Sequence, residues 1–222
     1  ILDAQERPIM VTSTISTDMP VSANATQPSI GGAQDAYVCM LDPSLSTLLW
    51  GTYHGGSLDD SAFGVQQAGD GRIYVTGGTQ SADLPMAGTP YHASSSGGVD
   101  GYITGYSADG SAMVAATYLG TAFYDQSYFV QLDQAGFVYV VGQTRGAYPV
   151  SAGVYSNPGS TQFIHKLDHD LTTSQWSTRI GSGLGTEDIA PSAFLVSDCG
   201  QIYFSGWGGT VNQFDQAILS TT

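Results

Sequence analysis

The chain has 222 residues, of which 11% are charged, and its formal net charge is −14. A chain this acidic lacks the basic face that neutralises phosphates, which argues against nucleic-acid partners and against anionic membrane surfaces. No stretch approaches about 18 apolar residues, so we expect no segment inserted in a membrane. Abundant glycine and aspartate, with one lysine at Lys166, favour strands joined by turns over helices.

Internal repetition is the strongest signal along the chain. Four similar strand-like segments carry an apolar residue at the same place: Ile9, Ile73, Val138 and Ile202. Their spacings are 64, 65 and 64 residues. The intervening aromatic, glycine and proline positions keep this period, so we interpret the chain as tandem copies of one unit of about 64 residues.

Each copy contains four short runs rich in β-branched and aromatic residues. In the second copy these runs lie near 100–106, 112–119, 126–132 and 137–143, and turn residues such as Asp109-Gly110 separate them. No segment of helical length has the apolar spacing of a helix. The pattern predicts an all-β fold of β-propeller blades, each with four antiparallel strands.

The repeat divides the chain into about three and a half blades. The predicted units are the last two strands of one blade, three blades, and the start of a further blade or a tail: 1–34, 35–99, 100–160, 161–213 and 214–222. Propellers typically have four to eight blades. We therefore expect a fragment of a larger ring that does not form a stable closed monomer, with a closed four-bladed ring as the alternative.

Two further features concern export and redox state. Ile1 begins a strand-like run without a leader, so we expect that a leader has been removed or that the chain is an internal segment. Cys39 and Cys199 lie 160 residues apart. We expect two unpaired, mostly buried thiols, and one long-range disulfide is the alternative.

The repeats resemble the SBBP family of β-propeller repeats found in secreted bacterial proteins. The residues that carry the resemblance are Asp35–Pro43, Gly51–Gly56, Asp59–Asp60, Gly71–Gly77 and Asp83–Pro85. The second copy matches this pattern less closely. The third departs most, with Arg179 where the first copies have tyrosine.

The resemblance implies a propeller fold and export, in some relatives by type IX secretion in gliding bacteria. It supplies no catalytic residues. We therefore predict a non-catalytic binding or structural segment of a large secreted or cell-surface protein, adhesin-like in role. Its expected partners are other blades or domains of the same protein and a surface glycan or protein ligand. The alternative is a propeller enzyme acting on polysaccharide, such as a glycosidase or lyase.

Acidic residues recur at the turn after a glycine of each copy: Asp59, Asp60, Asp125, Glu187 and Asp188. We interpret them as turn carboxylates that accept backbone N–H bonds. A Ca²⁺ site built from Asp59, Asp60, Asp125 and Asp188 is the alternative, because hard cations take several oxygen ligands. We predict no cofactor and no Ca²⁺ requirement for folding.

Tryptophan gives the one candidate binding residue. Trp50 and Trp176 occupy equivalent repeat positions, which favours a packing role. Trp207 lies between glycines and replaces Gly78 and Gln143 of the earlier copies, so we predict that it is an exposed contact residue. The pair His165 and His169 brackets a strand end rather than sharing a helical face, which argues against a metal site there.

Overall fold

The computed structural model describes residues 1–208, which form thirteen β-strands. The all-β prediction is confirmed, and none of the described residues belongs to a helix able to span a bilayer. The segment predicted at 214–222 lies outside the described residues. The strands are β1 (Ile9–Thr14), β2 (Asp35–Leu41), β3 (Leu48–His54), β4 (Asp60–Gln67), β5 (Ile73–Thr79), β6 (Asp100–Tyr106), β7 (Met113–Leu119), β8 (Asp125–Leu132), β9 (Val138–Thr144), β10 (Gln162–Leu167), β11 (Ser174–Ile180), β12 (Ile189–Val196) and β13 (Ile202–Gly208).

The strands form four antiparallel sheets that are out of step with the sequence repeats. Their orders are β1-β2-β3, β4-β5-β6-β7, β8-β9-β10-β11 and β12-β13. Each four-stranded sheet joins the last two strands of one repeat to the first two of the next. The segments 35–99 and 100–160 therefore each contribute to two sheets, because β5 pairs with β6 across the 80–99 connection, with Thr79 opposite Asp100.

The segment 1–34 contains one named strand, β1, where the sequence predicted two. The residues before it pair only through an isolated bridge between Leu2 and Pro8. Asp3 explains the difference, because its Oδ1 accepts the N–H groups of Gln5 at 2.9 Å and Arg7 at 2.8 Å. These bonds fold the chain into a turn in place of an extended strand.

The first strands of successive sheets lie against one another, with β8 in contact with both β4 and β12. Gln66 on β4 donates through Nε2 to Oε1 of Gln131 on β8 at 3.2 Å, which joins two equivalent repeat positions. Each of these strands has a register shift that leaves one residue extra: Phe63, Tyr128 and Ser192. Such bulges increase strand twist and re-aim side chains.

The register of β12 corrects one detail of the sequence alignment. Phe194 lies opposite Phe204, in the place that Val65 and Val130 occupy on their strands. Phe194, rather than Val196, is therefore the residue of the third repeat that is equivalent to these valines. The turn into the following strand keeps its length, so the additional residues of the third repeat lie in the loop before β12.

Packing between sheets depends on one tyrosine position of the repeat. Tyr74 and Tyr139 are buried, and Tyr74 donates to the carbonyl of His169 in a turn of the next sheet at 2.5 Å. At Tyr74, this position therefore packs one sheet against the next. Fully burying a large apolar side chain stabilises a fold by about 1.5–3 kcal/mol. The third member, Tyr203, is 57% exposed.

A second tyrosine position fastens long loops to the sheets. The Tyr53 hydroxyl donates to the carbonyl of Ser16 and accepts the N–H of Met19, both at 2.8 Å. Tyr118 repeats this arrangement one copy later, with Ser81 and Leu84 at 2.9 Å. Each hydroxyl thus satisfies two backbone groups of a loop that has no strand partner at that point.

The cysteine and tryptophan predictions are met in part. Cys39 and Cys199 are both free, and burial raises the pKa of Cys39 to about 11. Cys199 is exposed, so the expectation that both thiols are buried was wrong for it. Trp50 is buried and Trp176 half-buried, which agrees with packing at this position.

Candidate functional site

The antiparallel strand order brings every second connection to one end of the sheets, here called the loop end. It comprises the connections 15–34, 55–59, 80–99, 120–124, 145–161 and 181–188. The remaining connections, turns of five or six residues, lie at the opposite end. Loops carried by a rigid sheet are where binding residues concentrate, and the predicted acidic residues lie here.

Two of the predicted acidic residues, Asp60 and Asp125, are fully buried at the start of their strands. Asp60 Oδ2 accepts the N–H of Gly56 at 2.6 Å, and Asp125 Oδ2 accepts the N–H of Thr121 at 2.6 Å. Asp188 is half-buried, and its Oδ2 accepts the N–H of a loop residue at 2.6 Å. All three therefore hold the loop that precedes them, as turn carboxylates do.

The carboxylates do not gather into a cation cage in the described part of the chain. Asp59 is exposed, whereas Asp60 next to it is buried. No group of three or more His, Cys, Asp or Glu residues is arranged to hold a metal within residues 1–208. The structure thus brings each of Asp60, Asp125 and Asp188 to its own loop rather than to one shared site.

A second set of buried carboxylates was missed by the sequence analysis. Asp35 and Asp100, at the starts of β2 and β6, are fully buried. Asp35 Oδ2 accepts the N–H of Gly31 at 2.9 Å, and Asp100 Oδ2 accepts that of Ser96 at 2.7 Å. The recurrence of aspartate exactly one repeat apart was the available signal, at Asp35 and Asp100.

These carboxylates explain a recurring glycine. A Cβ at Gly55 would collide with the carboxylate of Asp35, and a Cβ at Gly120 would collide with Asp100 Oδ1. Burial raises the pKa of Asp60, Asp100 and Asp125 above the ordinary aspartate value. Their Oδ1 atoms accept no hydrogen bond from the described residues, so the charged form of each carboxyl is less stabilised than in water.

A polar and aromatic cluster, which the sequence does not predict, connects the loop ends of two neighbouring sheets. Arg145 forms an ion pair with Glu187, and its guanidinium carbon lies 5.1 Å from the ring centre of Tyr124. Gln143 donates through Nε2 to Glu187 Oε1 at 3.1 Å and accepts from the Tyr128 hydroxyl at 3.2 Å. The cation is thus held between an aromatic face and a carboxylate.

An open groove of about 480 Å³ lies one sheet earlier, between the loops 55–59 and 120–124. Its lining side chains carry no charge: Leu58, Gln80, Gly98, Val99, Phe123 and Tyr124. Phe123 is 61% exposed, although it is large and apolar. An exposed aromatic in a concave site is a common feature of ligand-binding surfaces.

Trp207 lies on β13 opposite Ala190, in the register position of Gly78 and Gln143, and is 45% exposed. Gln143 belongs to the cluster around Arg145, so Trp207 holds the corresponding place one sheet further on. Its role as a contact residue stays a prediction.

Two histidines, His54 and His165, have structural roles. His54 and His165 are buried, and burial lowers the pKa of His54 to about 4 and of His165 to about 3. His165 Nδ1 lies 2.8 Å from the Tyr148 hydroxyl, and its Nε2 lies 2.8 Å from Ser174 Oγ. Both imidazoles are therefore neutral hydrogen-bonding groups of the interior.

No protein-family model matches this chain, and no curated protein matches it either. The site is therefore described by its own residues: carboxylates that hold loops, one internally paired cation and one open groove.

Proposed function

We propose that the chain is a run of β-propeller blades with a non-catalytic binding or structural role in a large secreted or cell-surface protein. The observation that best supports this proposal is the contact between the equivalent first strands of successive sheets, β4, β8 and β12. Strands of this kind line the centre of a ring when sheets are arranged radially. The Gln66–Gln131 hydrogen bond between two of them supports this arrangement.

The use of the carboxylates supports a binding role over a catalytic one. The Oδ2 atoms of Asp60 and Asp125 accept hydrogen bonds from backbone N–H groups of their own loops. Glu187 is paired with Arg145. A glycosidase needs two free carboxyl groups facing one substrate bond, whereas these acids are engaged in holding the loop end.

The resemblance to SBBP repeats supports export and a surface role. The acidic composition suits a surface that stays soluble and avoids non-specific attachment to nucleic acid. In this proposal the loop end faces outward to a protein or glycan, while neighbouring blades or domains of the same protein cover the sheet faces. No metal or cofactor takes part.

Two measurements test the proposal. Antibody labelling of intact source cells is expected to detect this segment of the full-length protein without permeabilisation, and labelling only after lysis would contradict a surface role. Incubating the purified chain with a panel of polysaccharides is expected to release no reducing ends or unsaturated sugars above a heat-denatured control. Release would instead support the polysaccharide-active alternative.

A further inference from the structure

The groove at the loop end and the cluster around Arg145 are the same place in two successive repeats. The N–H of Gln80 donates to the carbonyl of Asp59 at 3.0 Å, and the N–H of Arg145 donates to the carbonyl of Tyr124 at 2.8 Å. Gln80 therefore corresponds to Arg145, and Asp59 corresponds to Tyr124. The same site is therefore filled by the side chain of Arg145 in one repeat and open in the repeat before it.

In the occupied version, the chain supplies its own cation. The Arg145 guanidinium lies between the ring of Tyr124 and the carboxylate of Glu187, on two consecutive loops. Arginine suits this place because its planar group both stacks on an aromatic face and binds a carboxylate.

In the open version, the flanking groups are present and the cation is absent. The exposed residue Asp59 lies on one loop, and the exposed ring of Phe123 lies on the next. Gln80, which is neutral, replaces the arginine between them. Aromatic rings thus line a groove of about 480 Å³ that has no internal positive charge among its lining residues, and Asp59 directly follows the lining residue Leu58 in the sequence.

The overall charge favours a cationic occupant. The chain has five lysine and arginine residues against nineteen acids. Four of the five cations form ion pairs with carboxylates of the chain: Arg7, Arg72, Arg145 and Lys166. The excess acidic charge raises the local concentration of positively charged partners at such a groove.

We propose that the groove between the loops 55–59 and 120–124 binds an arginine side chain of a basic protein segment. The guanidinium takes the place that Arg145 occupies one repeat later, against the Phe123 ring and beside the loop that carries Asp59. This assignment rests on the proposed binding function and names the chemistry of its partner.

The test is an NMR titration of the ¹⁵N-labelled chain with the peptide acetyl-Gly-Arg-Gly-amide. The matched probe has citrulline in place of arginine, which keeps the shape and removes the charge. The arginine peptide is expected to shift the amide signals of Gln80, Gly98 and Phe123 and to bind at least about fivefold tighter than the citrulline peptide. Equal binding of the two peptides would overturn the assignment.

Three variants sharpen the test. Gln80→Arg supplies an internal guanidinium and is expected to weaken peptide binding by about tenfold or more, and Phe123→Ala by about three- to tenfold. Leu184→Ala changes the exposed apolar residue of the 181–188 loop and is the matched control, with unchanged affinity expected. Unchanged binding by Gln80→Arg would contradict the proposal, as would an equal loss in Leu184→Ala.

A gain-of-site variant gives a positive readout. Arg145→Gln removes the internal cation, so the peptide is expected to produce a second set of shifts around Glu187 and Gln143, which do not line the first groove. Absence of the second set would show that the two places are not equivalent and would count against the assignment. If the peptide does not bind while surface labelling of cells succeeds, the arginine site fails and the broader binding function stands.

Discussion

The repeats in 35–99 and 100–160 fasten their loops differently from the third repeat. Each of the first two has a buried aspartate at its start, Asp35 or Asp100, where the third has Thr161. The Thr161 side chain makes one bond there, from its hydroxyl to the carbonyl of Thr186 at 3.2 Å. The strand pairing is nevertheless kept, with Gln143 opposite Gln162.

The tyrosine that fastens the loops differs in the same way. Tyr53 and Tyr118 each satisfy two backbone groups of a neighbouring loop, whereas Arg179 holds this place in the third repeat. The loop is held there through Asn157, whose N–H donates to the Arg179 carbonyl at 3.1 Å. The sheets therefore depend on apolar pairing, while buried polar side chains determine how firmly each loop is attached.

The largest expected effect concerns the recurring glycine next to a buried carboxylate. Gly120→Ala is expected to lower the free energy of unfolding by about 3 kcal/mol, because its Cβ would collide with Asp100. In a chain of this size the melting temperature should fall by roughly 6–12 °C. The measurement is thermal unfolding followed by circular dichroism.

Gly69→Ala is the matched control, because nothing lies within 4 Å of a Cβ at that position. We expect its melting temperature to stay close to that of the parent chain. If both alanine variants melt alike, the carboxylate does not require the glycine, and this part of the comparison fails.

The second effect tests whether the third repeat is as well buried as the first two. His165 lies in it, and the low folded-state pKa of about 3 means that the native state resists protonation. Since an unfolded histidine has a pKa of about 6.5, stability is lost as pH falls from there towards 3. The contribution lost by pH 4.5 is about 2–3 kcal/mol.

Urea unfolding at pH 7, 5.5 and 4.5 measures this contribution as the difference between the parent chain and His165→Gln. As pH falls, the free energy of unfolding of the parent chain is expected to decrease relative to that of His165→Gln. Comparison within a pair is needed because Asp60, Asp100 and Asp125 have raised pKa values and add stability as pH falls towards 3.8. A difference that stays the same at all three pH values would contradict a His165 that is buried in its neutral form.

The third effect concerns the loop attachment by tyrosine. Tyr118→Phe removes one hydroxyl and leaves the carbonyl of Ser81 and the N–H of Leu84 without their partner. We expect a loss of about 2 kcal/mol, because buried backbone groups lose their hydrogen bonds. Hydrogen exchange should also accelerate in the 80–99 loop.

Tyr203→Phe removes a hydroxyl from a tyrosine that is 57% exposed and should change stability by less than about 0.5 kcal/mol. Similar losses in the two variants would mean that the Tyr118 hydroxyl has no special role in holding the loop.

The sequence predicts strands well and polar side-chain arrangements poorly. The four runs expected in the second copy match β6 to β9 to within one residue, because β-branched and aromatic periodicity is local information. The sequence does not show which strands share a sheet, since the repeat has the same period wherever its boundary is drawn. The pairing of β5 with β6 across a 20-residue connection depends on contacts between residues that are distant in the sequence.

The candidate site shows the same limit. The turn role of Asp60 and Asp125 followed from their recurrence, but the groove and the Arg145 cluster did not. Their residues, such as Gln80 and Phe123, differ from copy to copy, so no period marks them. They come together only because the loop end gathers connections from neighbouring sheets.

The smallest expected effect compares one turn position in all three repeats. Leu45, Gly110 and Leu171 each follow the first residue of their turn by three positions, and their φ angles are 60°, 66° and 60°. A leucine in this left-handed region has a steric cost that glycine avoids, about 1–2 kcal/mol against glycine's entropic disadvantage of about 0.5–1 kcal/mol. Leu171 compensates by being fully buried, whereas Leu45 is 63% exposed.

Leu45→Gly is therefore expected to raise the free energy of unfolding by about 0.5–1 kcal/mol, measured by urea unfolding at pH 7. Leu45→Ala separates the causes, because alanine removes the exposed side chain and keeps the Cβ that makes this conformation costly. Only the glycine variant should gain stability. An equal gain with alanine would show that the exposed side chain, and not the backbone conformation, destabilises this turn.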